Sequence, residues 1–226
     1  MNLLAIDTAA NLCAACVWDT VTGVERGRSV ADLGKGHAEH LMTTIADALA
    51  VAGVAYGDLG MIAVSVGPGS FTGVRVGVST ARGLALALKL PAAGVTTLDA
   101  IAAEARADEP GRAVLVAIEA GRGDLYAALY DPFGNLVYGP TVANLATALE
   151  IARQKSPVLA GSAARSIAEA AAAGFDVAAA SPTGDIATYA RIAAGRGMPV
   201  DKPKPLYLRA PDAKPQAGFV LPRAEP

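Results

Sequence analysis

Histidine and cysteine each occur twice in 226 residues, tryptophan once, and aromatics make up 5% of the chain. So few aromatics argue against a surface that stacks nucleobases. Basic residues are also too scattered to grip nucleic acid: 19 Lys and Arg face 21 Asp and Glu, for a net charge of −2. A role beside nucleic acid then needs a partner that supplies the positive charge. No apolar run approaches the ~18 residues of a membrane-spanning helix. The opening MNLLAIDTAANLCAACVWD lacks a basic region and carries Asp7 inside its apolar run, unlike a secretion signal. The expectation is a cytoplasmic protein without membrane association.

The two cysteines, Cys13 and Cys16, are spaced C-x-x-C. They fall in an apolar stretch, Leu12 to Trp18, that reads as a strand, where residues three apart point to opposite faces. A redox pair would instead open a helix. With His37 and His40 the four make a poor zinc pattern, because the histidine spacing is too short. No metal site is expected.

What is present is apolar content, 53%, in short blocks. Leu3–Ile6, Leu12–Trp18 and Val24–Val30 read as three strands joined by short turns. His37–Val51 carries Leu41, Met42, Ile45 and Leu49 at helical spacing. Met61–Val66 is a strand of the kind buried on both faces. A helix is predicted from about Val74 to Lys89, stopped by Pro91. The second half repeats this order. Strands fall at Val114–Ile118, Asp124–Tyr130 and Leu136–Tyr138. A helix follows from about Val142 to Arg153, then a strand Pro157–Ala160 and a helix Ser162–Ala173. The fold class is therefore α/β, with a duplicated β-β-β-α-β-α unit. The units divide at 1–98 and 99–182, and a helix near 183–195 packs back on the first. Residues 199–226 hold seven of the 14 prolines, so one short ordered piece, Leu206–Arg209, is expected before a flexible end.

The stretch SVGPGSFTGVRVG, 65–77, looks like a phosphate loop. No Lys stands where G-x-x-x-x-G-K-[ST] needs it. The dinucleotide fingerprint fails as well, since its third place is Thr72 and no acid follows before Asp99. The G-x-S-x-G pattern does not fit around Ser70. Free amides at a helix start could still hold an anion. The fuller explanation is packing. Gly69, Gly73, Gly77, Ala81 and Ala85 fall every four residues and form a stripe without side chains, where another backbone can come close.

Two further stretches invite a function. Asp7-Thr8 ends the first strand, either as an Asx-type turn or as a hairpin that wraps a phosphate with the Asp near Mg²⁺. Glu119-Ala-Gly121 stands at the equivalent place in the second half. Facing phosphate hairpins of this kind mark an actin-like ATPase, where the second carries D-x-G. Glu119 stands in place of that Asp, and its longer side chain would displace a metal-bound water. Asp7, Thr8, Glu119 and Gly121 thus read as remnants of a nucleotide cleft, without catalytic residues. His37 and His40 share a helix face and could meet a metal at two points, or simply form a polar helix start.

LLAIDTAANLCAACV, GHAEHLM, SVGPGSFTGVRVGVSTARGLALALKLP and KPLYLRAPDAKP together resemble the bacterial TsaB (YeaZ) family over essentially the whole chain. The resemblance implies two lobes of the actin-like ATPase (sugar kinase, Hsp70 and actin) superfamily. It implies a part in making threonylcarbamoyladenosine beside the anticodon of tRNAs that read codons starting with A. The implied role is a non-catalytic scaffold that pairs with the transferase TsaD as a heterodimer, with the ATPase TsaE joining the pair. The partner's H-x-x-x-H metal motif is not reproduced here, since Leu41 stands four after His37. No cofactor is implied, with ATP only at the partner interface. tRNA is met through the complex, and the isolated chain could form a homodimer. On this reading His37, His40, Leu41, Ile45, Gly69, Gly73, Arg75, Gly77 and Ala81 line the pairing surface, and Gly77→Leu should abolish pairing but leave the fold intact. The alternatives are an active small-molecule kinase or ATPase of the same fold, and a peptidase.

Overall fold

The computed structural model describes residues 1–172 and 174–209. Chain order is β1 (Asn2–Asp7), β2 (Leu12–Asp19), β3 (Val24–Asp32), α1 (His37–Ala52), β4 (Leu59–Ser65), α2 (Phe71–Leu88), β5 (Ala92–Val95) and α3 (Thr97–Asp108). The second half runs β6 (Val114–Gly121), β7 (Asp124–Tyr130), β8 (Leu136–Asn144), α4 (Leu145–Lys155), β9 (Val158–Ala160) and α5 (Ala164–Ala171), and α6 (Ile186–Arg196) follows.

The first sheet has the order β3-β2-β1-β4-β5 and the second β8-β7-β6-β9. In both, three antiparallel strands are followed by a fourth that lies parallel beside the first. A parallel neighbour needs a crossover, and α1 and α4 supply it. The duplication read from the sequence is therefore a duplication of topology.

β1 and β4 are nearly continuous apolar runs because both faces of their sheet are covered. One face carries Leu4, Ile6, Cys13 and Ala15 against Leu41 and Ile45 of α1 and Val74, Val78 and Ala81 of α2. The other carries Leu3, Ala5, Cys16 and Met61 against Ile186, Tyr189, Ala190 and Ala193 of α6. Burying each such Leu or Ile contributes about 1.5–3 kcal/mol. The second sheet is covered by α3 on one face and by α4 and α5 on the other. Helices α3 and α6 pack on each other between the two sheets. There Arg196 Nη2 donates to Asp99 Oδ2 at 2.8 Å, and the Asp185 amide donates to Glu104 Oε1 at 2.6 Å.

Several boundaries differ from the sequence reading. β5 and α3 were not expected. β5 is only four residues of Ala, Gly and Val, and α3 is alanine-rich, with little bulky apolar periodicity. α2 starts at Phe71, three residues before Val74, because Ser70 caps it: its Oγ accepts from the Gly73 amide at 3.2 Å. Residues 142–144 extend β8, and Asn144 caps α4 by accepting from the Thr147 amide at 2.9 Å. α6 begins at Ile186 behind its cap Asp185, which frees Thr183 for another role. In the proline-rich segment the Leu206 amide donates to Val66 O at 2.8 Å. The remainder of the expected flexible end, 210–226, and Ala173 of the expected fifth helix lie outside the described residues. No helix among the described residues is long and apolar enough to cross a membrane.

Candidate functional site

The two hairpins singled out in the sequence end β1 and β6, the corresponding strands of the two sheets. The first is buried at Asp7, Thr8 and Ala9. Asp7 is 1% exposed. Its Oδ1 accepts from the Ala9 amide at 2.9 Å, an Asx-type turn, and its Oδ2 accepts from Thr183 Oγ1 at 2.6 Å. Thr183 Oγ1 lies 2.7 Å from the buried Tyr189 hydroxyl at the start of α6. Burial pushes the Asp7 carboxyl above its ordinary range, while the hydrogen bonds from Thr183 and Ala9 act in the opposite direction. Tyr189 is likewise pushed up by burial, and by the nearby Asp7 charge.

The tip of this hairpin is clamped by the start of α2. The Ser70 amide donates to Ala9 O at 2.6 Å, and Thr8 Oγ1 donates to Gly73 O at 2.7 Å. These contacts explain the glycine stripe. A Cβ on Gly69 would overlap Ala9 O, one on Gly73 would overlap Thr8 O, and one on Gly77 would lie 2.5 Å from Thr8 Oγ1. The backbone that approaches the stripe is the chain's own. This corrects the expectation that Gly69, Gly73, Gly77 and Ala81 open toward a partner: Gly73, Gly77 and Ala81 are buried in the fold. Gly67 needs its glycine for another reason, since φ is +86°.

The same correction holds for part of α1. Leu41 and Ile45 are 1% and 0% exposed and face the sheet. His37 is buried as well, whereas His40 is exposed, so the two imidazoles do not share an environment or a ligand. Cys13 and Cys16 point to opposite faces of β2, into different cores. Burial raises both thiols, which suits inert core cysteines.

The second hairpin is open. Glu119, Gly121, Arg122 and Gly123 are exposed, and Gly121 and Gly123 have φ of +74° and +81°. The Glu119 amide donates to Ser162 Oγ at 3.0 Å. Arg209 reaches this turn from the proline-rich segment. It donates to Ala120 O at 3.3 Å and to Gly121 O at 3.4 Å, and pairs with Asp124. Residues 206–209 therefore strap the first sheet to the second hairpin. The sequence did not point to Thr183 or Tyr189, which meet Asp7 only through the fold. An ordered piece, Leu206–Arg209, was expected, but nothing in the sequence indicated what Arg209 holds.

Of the expected pairing residues, Arg75 and His40 are exposed. Arg75 Nε donates to Tyr207 OH at 2.7 Å, and its guanidinium lies 3.5 Å from the centre of the Phe71 ring. Among the described residues no group of three or more His, Cys, Asp or Glu is placed to hold a metal.

The family model described as "TsaD: tRNA N6-adenosine threonylcarbamoyltransferase" matches residues 31–198. The tRNA threonylcarbamoyladenosine biosynthesis protein TsaB of Escherichia coli is 34% identical over 161 residues, 71% of this chain and 68% of that protein. An uncharacterized protein of Mycobacterium tuberculosis (strain H37Rv) is 35% identical over 220 residues, 96% of this chain and 95% of that one. Among solved structures, YeaZ from Pseudomonas aeruginosa superposes with a TM-score of 0.73 at 25% identity, over 92% of this chain and 99% of that chain. The ethanolamine utilization protein EutJ of Carboxydothermus hydrogenoformans shares the fold alone, with a TM-score of 0.51 at 11% identity over 84% of this chain and 88% of that one.

Proposed function

Because the chain belongs to the TsaB (YeaZ) family, we propose that it acts in the biosynthesis of threonylcarbamoyladenosine in tRNA as a non-catalytic scaffold. In this reading it pairs with a TsaD-type transferase, and TsaE joins through that pair. tRNA is bound by the assembly rather than by this chain, whose net charge is −2.

The observation that carries the non-catalytic part is the closure of the first hairpin. An actin-like ATPase needs its first-hairpin carboxylate free for a metal-bound water. Here both Asp7 oxygens accept hydrogen bonds from within the chain, and the turn beside it is clamped beneath α2. Glu119 at the second hairpin, and the separate settings of His37 and His40, point the same way.

The surface offered to the partner is the outward side of α1 and α2, not the glycine stripe. Met42, Ala46 and Ala50 of α1 and Thr72 and Ser79 of α2 are exposed, and Met42 is 47% accessible. Small side chains there let another pair of helices approach closely. Depletion of the protein should reduce threonylcarbamoyladenosine among tRNA nucleosides, measured by mass spectrometry, and Asp7→Asn should restore it. Unchanged modification on depletion would sink the reading. ATP turnover by the isolated protein that Asp7→Ala abolishes would favour an active ATPase instead.

A further inference from the structure

On the β5 side of α2 lies a groove of about 510 Å³, bounded by the last turns of α2 and by residues 199–203. Its apolar surface comes from Leu86, Leu90, Pro91, Pro199, Val200 and Pro203. Leu86 is 80% exposed and Val200 99%, so two large aliphatic side chains of the groove's lining stand in water. Three cations line the same groove, Arg82, Lys89 and Lys202, against one acid, Asp201. None of the three cations takes part in an ion pair among the described residues.

We infer that this groove binds a short acidic segment of a partner protein, with one apolar side chain seated between Leu86 and Val200 and carboxylates on either side meeting Arg82, Lys89 and Lys202. Charge complementarity selects the acidic partner. The open walls suit a peptide better than a small molecule, which needs most of its surface buried. The lining has no aromatic ring on which a base could stack, which argues against single-stranded RNA as the occupant. The inference does not depend on the family reading.

The test uses the full chain and fluorescence anisotropy with three labelled hexapeptides, EDLLDE, EDSSDE and KRLLKR. Saturable binding of EDLLDE is expected. It should weaken by roughly tenfold when the leucines become serines. It should weaken as ionic strength rises and be absent for KRLLKR. Arg82→Glu combined with Lys202→Glu should weaken it by roughly tenfold or more, and Leu86→Ser by several-fold. All of these side chains are exposed, so thermal melts of the variants should match the parent. If a melt shifts, Val200→Ser and Lys202→Glu singly replace that variant. Equal binding of EDLLDE and KRLLKR, no saturable binding, or binding indifferent to these variants overturns the proposal. So does binding of a labelled RNA hairpin that the same variants abolish while the peptides fail to bind.

Discussion

The Cα of Gly73 rests against the carbonyl oxygen of Thr8, and the Thr8 hydroxyl donates in return to the carbonyl of Gly73 at 2.7 Å. Any side chain at position 73 must displace the β1–β2 turn. One turn on, a Cβ at Gly77 would stand 2.5 Å from Thr8 Oγ1. Gly73→Ala should therefore destabilise the protein by about 1–3 kcal/mol through overpacking, although alanine is the better helix former. Gly77→Leu should prevent folding of the first sheet rather than spare it. Gly83→Ala serves as the control, since open space lies beyond that Cα, and it should be neutral or slightly stabilising. Urea melts of the three variants measure this. Equal stability of Gly73→Ala and Gly83→Ala would refute the clamp.

Asp7 gives a prediction in pH. Burial raises its folded-state pKa above that of the unfolded chain. The folded protein then binds more protons than the unfolded one in the window above the ordinary carboxylate range, so this group's penalty grows as pH rises through that window. Asp7→Asn keeps an acceptor for Thr183 or Ala9 and removes the charge. The variant should melt higher than the parent at pH 7, by about 2–4 °C for each kcal/mol gained in a chain of this size. The gap should close as pH falls toward 4. A parent more stable than the variant at pH 7 would mean that the hydrogen bonds outweigh the desolvation.

Arg209 should hold the second hairpin still. It caps the carbonyls of Ala120 and Gly121 and pairs with Asp124, while the Leu206 amide anchors the strap to Val66 of the first sheet. Arg209→Ala should speed hydrogen exchange of the amides in 120–125 by several-fold, and leave exchange in β1 and β4 unchanged. Uniform exchange across the chain before and after the substitution would remove the strap from consideration.

How much of this was legible beforehand follows from where each signal resides. The order of strands and helices shows in local periodicity, and with it the duplication. β5 and α3 escaped because alanine and glycine carry almost no hydrophobic pattern: Ala92, Ala93, Ala100 and Ala105 are core residues by position rather than by size. The glycine stripe was visible, but spacing cannot say whose backbone it receives. Thr8 lies 65 residues from Gly73, and Thr183 lies 176 from Asp7. Such pairs exist only once β1, β4 and α6 have come together. Cys13 and Cys16 were the simpler case, because the two-residue period of a strand already separates them.

If α1 and α2 pair outward with a TsaD-type subunit, the sensitive positions are those that face solvent in the isolated chain. Ala46 and Ser79 meet that condition, and neither supports the core. Ala46→Arg or Ser79→Arg should lower co-purification with the transferase subunit by roughly tenfold or more, since a bulky charge at a close helix crossing has neither room nor a counter-ion. Each variant should keep the parent's melting temperature, because an exposed helical arginine costs little. The Thr43→Ala exchange, exposed on α1 and smaller, should change neither quantity. Loss of threonylcarbamoyladenosine should follow loss of pairing in the same variants. Retained pairing in both arginine variants would move the contact off these helices and leave the role in tRNA modification to be carried by another surface.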